Sequence, residues 1–150
     1  MTEYRRSFRC EVITPAGVVL ETEAVSVVFP GADGEIGVLA NRAPLAGLVG
    51  AGRLEIVEAD RRRREYFVEG GFAHVGENRV TLLVQECLAP EEIDREAAYD
   101  RVRQVSRLPA DTPEAAARRA DAASAARARF HLAQKHWRLR RRPVTLPEDD

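Results

Sequence analysis

The sequence has few cysteines and few aromatic residues. Cys10 and Cys87 are its only thiols, and Phe, Trp and Tyr make up 6% of the 150 residues. Two thiols in a chain of this length do not provide the disulfide framework of small secreted domains. We therefore expect both cysteines to be reduced and buried, since free cysteine commonly packs as a small apolar residue.

Long apolar runs are also missing. No stretch approaches the roughly 18 apolar residues that a transmembrane helix needs. Residues 1–6 carry charges and lead into an alternating pattern, which is unlike a secretory leader. The composition, 45% hydrophobic and 31% charged, is that of a soluble globular protein. These features predict a cytoplasmic protein that meets a membrane only through partners.

Motifs for catalysis and metal binding are missing as well. Gly31, Gly34 and Gly37 form a glycine-rich stretch, but the lysine and hydroxyl of a phosphate-binding loop are not there. The three histidines are too scattered for a metal site, and the serines lie in no nucleophile motif. The sequence predicts a protein that is not an enzyme and has no cofactor and no metal.

Up to about Glu86 the apolar residues recur with period two, the pattern of half-buried strands. Short turn sequences rich in Gly, Pro, Asp and Asn separate these runs. The pattern predicts an antiparallel β-sandwich or barrel. The residues expected to alternate inward are Phe8, Cys10 and Val12, then Val25, Val27 and Phe29, then Val80, Leu82 and Val84.

Three apolar residues do not fit this alternation simply. Val28 and Leu83 lie on the nominally outer face, which suggests that something covers it, most simply the C-terminal helices. Phe67 lies between Glu65 and Glu69, and it is either a partner contact or a core residue in a strand of different phase.

From Pro90 the apolar period becomes helical. Acidic residues follow Pro90 at a helix start, Leu108-Pro109 ends this helix, and Thr112 and Pro113 begin a second one that runs to Arg142. We expect a mainly β fold with a β-sandwich domain at 1–87, an antiparallel two-helix hairpin at 88–142 and a disordered tail at 143–150. The second helix is rich in alanine, so its packing should be weak.

The second helix is also strongly cationic. Residues 118–142 contain nine basic residues and one acidic residue, Asp121. Such a helix attracts an anionic partner, which is nucleic acid, an acidic lipid surface or an acidic protein loop. A free-standing binding module for nucleic acid or lipid is the alternative function, although nucleic acid is disfavoured by the scarcity of aromatic platforms. The candidate residues are Arg118, Arg119, Arg127, Arg129, Lys135 and Arg138.

Several motifs, in order, resemble the epsilon subunits of F-type ATP synthases. No single motif is specific, but the ordered set at these spacings is. The similarity spans about residues 7–140, and the family fold it implies is a sandwich of about ten strands followed by a helical hairpin. The motifs are Phe29-Pro30-Gly31-Ala32-Asp33-Gly34-Glu35-Ile36-Gly37-Val38, Leu39-Ala40-Asn41-Arg42-Ala43-Pro44-Leu45, Gly52-Arg53-Leu54, Val68-Glu69-Gly70-Gly71-Phe72-Ala73, Asn78-Arg79-Val80-Thr81-Leu82-Leu83 and Glu92-Ile93-Asp94.

The resemblance implies a non-catalytic subunit of the central stalk in a proton-translocating ATP synthase. Its partners would be the gamma subunit and the membrane rotor ring, on the cytoplasmic face of the cell membrane. Glu35, Asn41 and Arg42 would contact the ring. Arg42 stands where the family usually has histidine, which keeps a cationic group but removes a titrating one.

The resemblance also implies a regulatory hairpin. In the family it can leave the sandwich, extend into the catalytic alpha/beta hexamer and block ATP hydrolysis. Some relatives hold the hairpin down with ATP through an Ile/Leu-Asp-x-x-Arg-Ala motif. Here Ile93, Asp94 and Ala98 match that motif, but Ala97 replaces its arginine. We therefore expect ATP binding to be weak or lost.

Overall fold

The computed structural model describes residues 6–140, and the expected tail at 143–150 and the expected helix end at Arg142 lie outside them. A short 3-10 turn at Pro90–Glu92 leads from the strands into helix α1 (Arg95–Val105) and helix α2 (Pro113–Arg140). The strands that precede it are β1 (Phe8–Thr14), β2 (Gly17–Gly31), β3 (Gly34–Leu39), β4 (Leu45–Glu58), β5 (Arg63–Gly76) and β6 (Arg79–Leu88).

The strands form a sheet that closes on itself. Its order is β1-β6-β5-β4-β2-β3, and a further pairing of β1 with β2 closes a ring of five strands beside which β3 lies. All neighbours are antiparallel except β1 and β6, which are parallel. The predicted antiparallel sandwich is confirmed apart from the pair of β1 and β6, because a ring of five strands cannot reverse direction at every step.

Three strands are long enough to serve both layers of the sandwich. β2, β4 and β5 have 15, 14 and 14 residues, whereas a strand of average length has about six. β2 shifts register twice against β4, and β5 bends at Gly70 and Gly71, whose φ angles are 64° and 146°. The expected count of about ten strands is therefore too high, because six continuous strands, the long ones bent so that each contributes to both layers, build the sandwich.

The sandwich core follows the predicted alternation on β1 and β6, where the expected residues are all buried. On β2 the phase differs. Ala24 is buried and Val25 is half-buried, because the register shift between Ala24 and Ser26 moves the inward side of the strand by one residue. Cys10 is fully buried and Cys87 is half-buried, and both are free thiols.

The two helices form the predicted antiparallel hairpin. Near its ends Arg95 of α1 reaches Trp137 and Gln134 of α2, and further along α1 the Tyr99 and Phe130 rings lie 5.5 Å apart. The first helix begins later than predicted, because Pro90 opens only a 3-10 turn. As predicted, Thr112 caps α2, its hydroxyl accepting from the Ala115 N–H at 3.1 Å.

Helix α2 packs across the outer faces of β4 and β5. Phe67, which is 1% exposed, lies at the centre of this interface with Leu132 and Ala133. Phe67 is thus a core aromatic beneath the helices and not an exposed partner contact. The hairpin in this structure lies docked on the sandwich.

Candidate functional site

A row of apolar side chains crosses the outer face of the sheet, away from the helices. Its members are neighbours by register on five successive strands, from β4 through β5, β6 and β1 to β2. We call these residues the apolar row: Leu48, Phe72, Leu83, Ile13 and Val18. Ile13 is half-buried, and the others are 44–65% exposed.

The helices do not cover this row, so the expectation that they would cover Leu83 is wrong. Leu83 is 48% exposed, whereas Val28, the other residue of that expectation, is half-buried. The alternation pattern could not predict the apolar row, because the bend at Gly70 and Gly71 reverses which side of β5 faces outward. Phe67 and Phe72 differ in parity, yet both point away from the sandwich core. A contiguous exposed apolar set of this kind marks an interaction surface.

The predicted ring-contact residues lie around strand β3 and the loop that follows it. Glu35 is exposed on β3 and forms no ion pair within residues 6–140. Arg42 folds back onto β3, its Nη1 donating to the Gly37 carbonyl at 3.2 Å, two residues along the strand from Glu35. Asn41 is exposed and adopts a positive φ of 65°, a conformation that asparagine tolerates in tight turns. Arg42 therefore contacts the strand that carries Glu35.

The six predicted cations of α2 do not form one uniform surface. Lys135 Nζ pairs with both carboxylate oxygens of Glu65, at 2.8 and 3.0 Å. Arg129 lies 3.5 Å from Glu86, and its guanidinium stands 5.5 Å above the Phe67 ring. Two of the six cations are therefore bound to the sandwich.

The other four form a second set, which we call the outward cations. All four are exposed, and in the part of the chain from 6 to 140 they have no ion-pair partner. Sequence reasoning missed the division because Glu65 and Lys135 are 70 positions apart. The outward cations are Arg118, Arg119, Arg127 and Arg138.

The residues that match the ATP motif serve the start of α1. Ile93 is buried among the residues beneath the hairpin, and Ala98 is buried beside it. Asp94 is the N-cap, its carboxylate accepting from the Ala97 N–H at 3.1 Å. Arg95 lies 4.0 Å from the centre of the Trp137 ring and donates to Gln134. The Asp94 cap thus stabilises the start of α1, Arg95 joins α1 to α2, and Ile93 and Ala98 pack with Phe67 of the sandwich.

The described residues offer little for other chemistry. Between positions 6 and 140 no group of three or more His, Cys, Asp or Glu residues could hold a metal ion. Neither α1 nor α2 has the length and apolar character that a membrane span requires. Burial raises the pKa of Cys10 to about 12 and that of Cys87 to about 11, so both thiols stay protonated and unreactive near neutral pH.

Comparison with known proteins agrees with these features. The family described as ATP synthase, Delta/Epsilon chain, beta-sandwich domain matches residues 7–90. The ATP synthase epsilon chain of Rhodopirellula baltica is 38% identical, over 73% of this chain and 85% of the relative. That of Moorella thermoacetica is 39% identical, over 78% of this chain and 88% of the relative.

A solved structure shares the fold. It is a chain in the Euglena gracilis mitochondrial ATP synthase, in an assembly with OSCP, F1 and the c-ring. The TM-score is 0.73 at 19% identity, and the match covers 91% of this chain and 84% of that one. A free-standing nucleic-acid or lipid-binding module finds no support in these similarities. The chain belongs to the ATP synthase epsilon chain family, and it is therefore a non-catalytic subunit of the rotor stalk.

Proposed function

We propose that this chain couples the gamma subunit to the membrane rotor ring. The observation that carries the proposal is the apolar row, which leaves large side chains uncovered on one face of an otherwise well-packed sandwich. Leu48 and Val18 at its two ends are 65% and 57% exposed. Burial against gamma would remove this apolar area from water. The sandwich domain at 1–87 would thus bind the gamma subunit.

The ring would meet the polar end formed by β3 and the loop after it. Glu35 has no ion-pair partner among residues 6–140, and Arg42 adds a guanidinium that stays charged at every physiological pH. Charged groups at the rim of such a contact fix its register more than its strength. The subunit would then be peripheral on the cytoplasmic face of the cell membrane, held there through its partners.

Binding measurements separate these two contacts. The double variant Glu35→Gln, Arg42→Ala should be retained less strongly on the purified ring and should bind gamma as the natural chain does. Replacement in the apolar row should do the reverse. If both sets of variants weaken both partners equally, the assignment of one surface to each partner is wrong.

The hairpin at 88–142 would act as a brake on ATP hydrolysis. The exposed cations of α2 suit an acidic surface on the catalytic alpha/beta hexamer, which the extended hairpin would reach. Deletion of 109–150 should raise the ATPase activity of the assembled enzyme and leave its assembly intact. Because this deletion also uncovers Phe67, a full-length variant with Arg118→Glu, Arg119→Glu and Arg127→Glu should be measured beside it. Unchanged hydrolysis in both would remove the regulatory role.

ATP would not control this hairpin. Ala97 lacks the guanidinium that the motif of ATP-binding relatives supplies, and Asp94 is engaged as a helix cap. Calorimetry with the full chain should therefore detect weak or no ATP binding. The matched variant Ala97→Arg, which restores the guanidinium, should bind ATP more tightly than the natural sequence. Tight ATP binding by the natural sequence would overturn this part of the proposal.

A further inference from the structure

The docked hairpin uses two of its cations as anchors, and each anchor rests on a carboxylate of the sandwich. We call Arg129 and Lys135 the anchor cations. Glu65 receives Lys135 at 2.8 Å, and Glu86 receives Arg129 at 3.5 Å. The outward cations on the same helix are exposed while the anchors are engaged. The docked state therefore already shows part of the cationic helix to solvent.

Glu65 is placed so that it can release Lys135 at low cost. Its side chain is 17% exposed, and Arg53 of β4 donates to the same carboxylate at 3.2 Å. When α2 leaves, Glu65 keeps Arg53 and is not left as an unpaired, half-buried charge, which would be costly. Lys135, at 56% exposed, is already largely hydrated. The pair is thus suited to exchange.

We propose that Glu65 and Glu86 compete with an acidic protein segment for Lys135 and Arg129, after the outward cations have made the first contact with that segment. The inference rests on the proposed brake and adds which residues capture the partner and which ones oppose it. Unpaired surface cations raise association rates, whereas pairs that must be exchanged govern how firmly the complex is held. Both anchors already bind carboxylates, so an acidic segment offers them the same chemistry.

An acidic segment fits this helix better than nucleic acid does. Sequence-independent binding of single strands depends on aromatic side chains on which bases stack. The aromatic residues of α2 are engaged, since Arg95 covers the Trp137 ring and Tyr99 packs against Phe130. Carboxylates need no such platform.

The test uses the full chain and a labelled poly-L-glutamate peptide at low salt, with fluorescence anisotropy as the readout. The variant Glu65→Gln with Glu86→Gln removes both competitors, so it should bind the peptide about two- to thirtyfold more tightly, from the range measured for exposed ion pairs. Amide hydrogen exchange along α2 should also become faster. The matched control is Glu21→Gln with Glu23→Gln, whose carboxylates face Arg9 away from α2, and it should change neither quantity.

A second variant tests the capture step. Charge reversal of the four outward cations to Glu should abolish peptide binding, while amide protection at Phe67 stays as in the natural chain. Equal affinity of the natural chain and the Glu65, Glu86 variant, or an equal gain in the control, would refute the competition. A single-stranded oligonucleotide that gains as much as the peptide would refute the acidic-segment assignment. These assays need no assembled enzyme, so their outcome is independent of the hydrolysis measurements. The competition can be refuted while the hairpin still inhibits hydrolysis, and it can be supported while the hairpin has no effect on hydrolysis.

Discussion

Removal of the apolar row should detach the chain from gamma without unfolding it. The perturbation is Leu48→Thr, Phe72→Thr and Leu83→Thr in one chain, because threonine keeps the preference for strands and adds a polar group. These three side chains are 65%, 44% and 48% exposed, so about half of each is available for burial by a partner. At about 1.5–3 kcal/mol for full burial of such a side chain, the row contributes about 3 kcal/mol.

A loss of about 3 kcal/mol corresponds to a dissociation constant roughly a hundredfold weaker. The assay is calorimetric titration of purified gamma with the variant, and circular dichroism shows whether the fold is retained. Leu39→Thr is the matched control, since Leu39 is as exposed as Leu48 but lies on β3, outside the row. Wild-type affinity in a folded triple variant would refute the assignment, and an equal loss in the control would show that exposed leucine in general, and not this row, governs the affinity.

Three further perturbations test the fold and its attachments. In Gly71→Ala the new Cβ would collide with the Leu83 carbonyl and lie 2.8 Å from Val84 Cα, and the residue would have to keep a φ of 146°. Urea denaturation should therefore show that the free energy of unfolding falls by about 3 kcal/mol or more. The control Gly37→Ala places its Cβ in open space and should change this free energy little. Burial raises the pKa of Cys10 from 9.0 to about 12, so as the pH rises the unfolded chain loses this proton before the folded chain does. The free energy of unfolding should therefore fall by about 1.4 kcal/mol per pH unit near pH 10, and Cys10→Ala should reduce this slope. Phe67→Ala should speed amide hydrogen exchange in α2 and leave β1 and β6 protected; equal loss of protection in both would show that the hairpin and sandwich unfold as one.

The sequence was informative where the backbone is regular. The alternation on β1 and β6 predicts the buried residues correctly, since a straight strand turns successive side chains to opposite faces. It fails where the chain bends. Val25 lies next to a register shift, and Phe72 follows the bend at Gly70 and Gly71, so counting by two from either side gives the wrong face.

The contacts of α2 could not be predicted for a different reason. The cationic residues are evident from composition, but which of them are bound depends on which strand the helix crosses. Glu65 has no local feature that distinguishes it from Glu69 four residues later, yet the first binds Lys135 and Arg53, and the second is exposed. Pairings across 70 residues are set by the tertiary fold. The helix caps at Asp94 and Thr112 are local, and of the two the sequence indicated Thr112.

The composition of α2 sets the energy scale on which the hairpin can move. The buried residues of α2 between Pro113 and Arg140 are Ala115, Ala126, Leu132 and Ala133, so Leu132 is the one large side chain among them, and Phe130 packs partly buried against the same cluster. A leucine contributes about 1.5–3 kcal/mol on full burial, and Phe67, which α2 covers, contributes a similar amount, whereas each anchor ion pair contributes at most about 1 kcal/mol. A complete shift between two states takes about 5.5 kcal/mol of differential affinity. The burial of Leu132 and Phe67 and the two anchor ion pairs therefore set the free energy that an acidic partner surface, binding several arginines, must supply to release the helix.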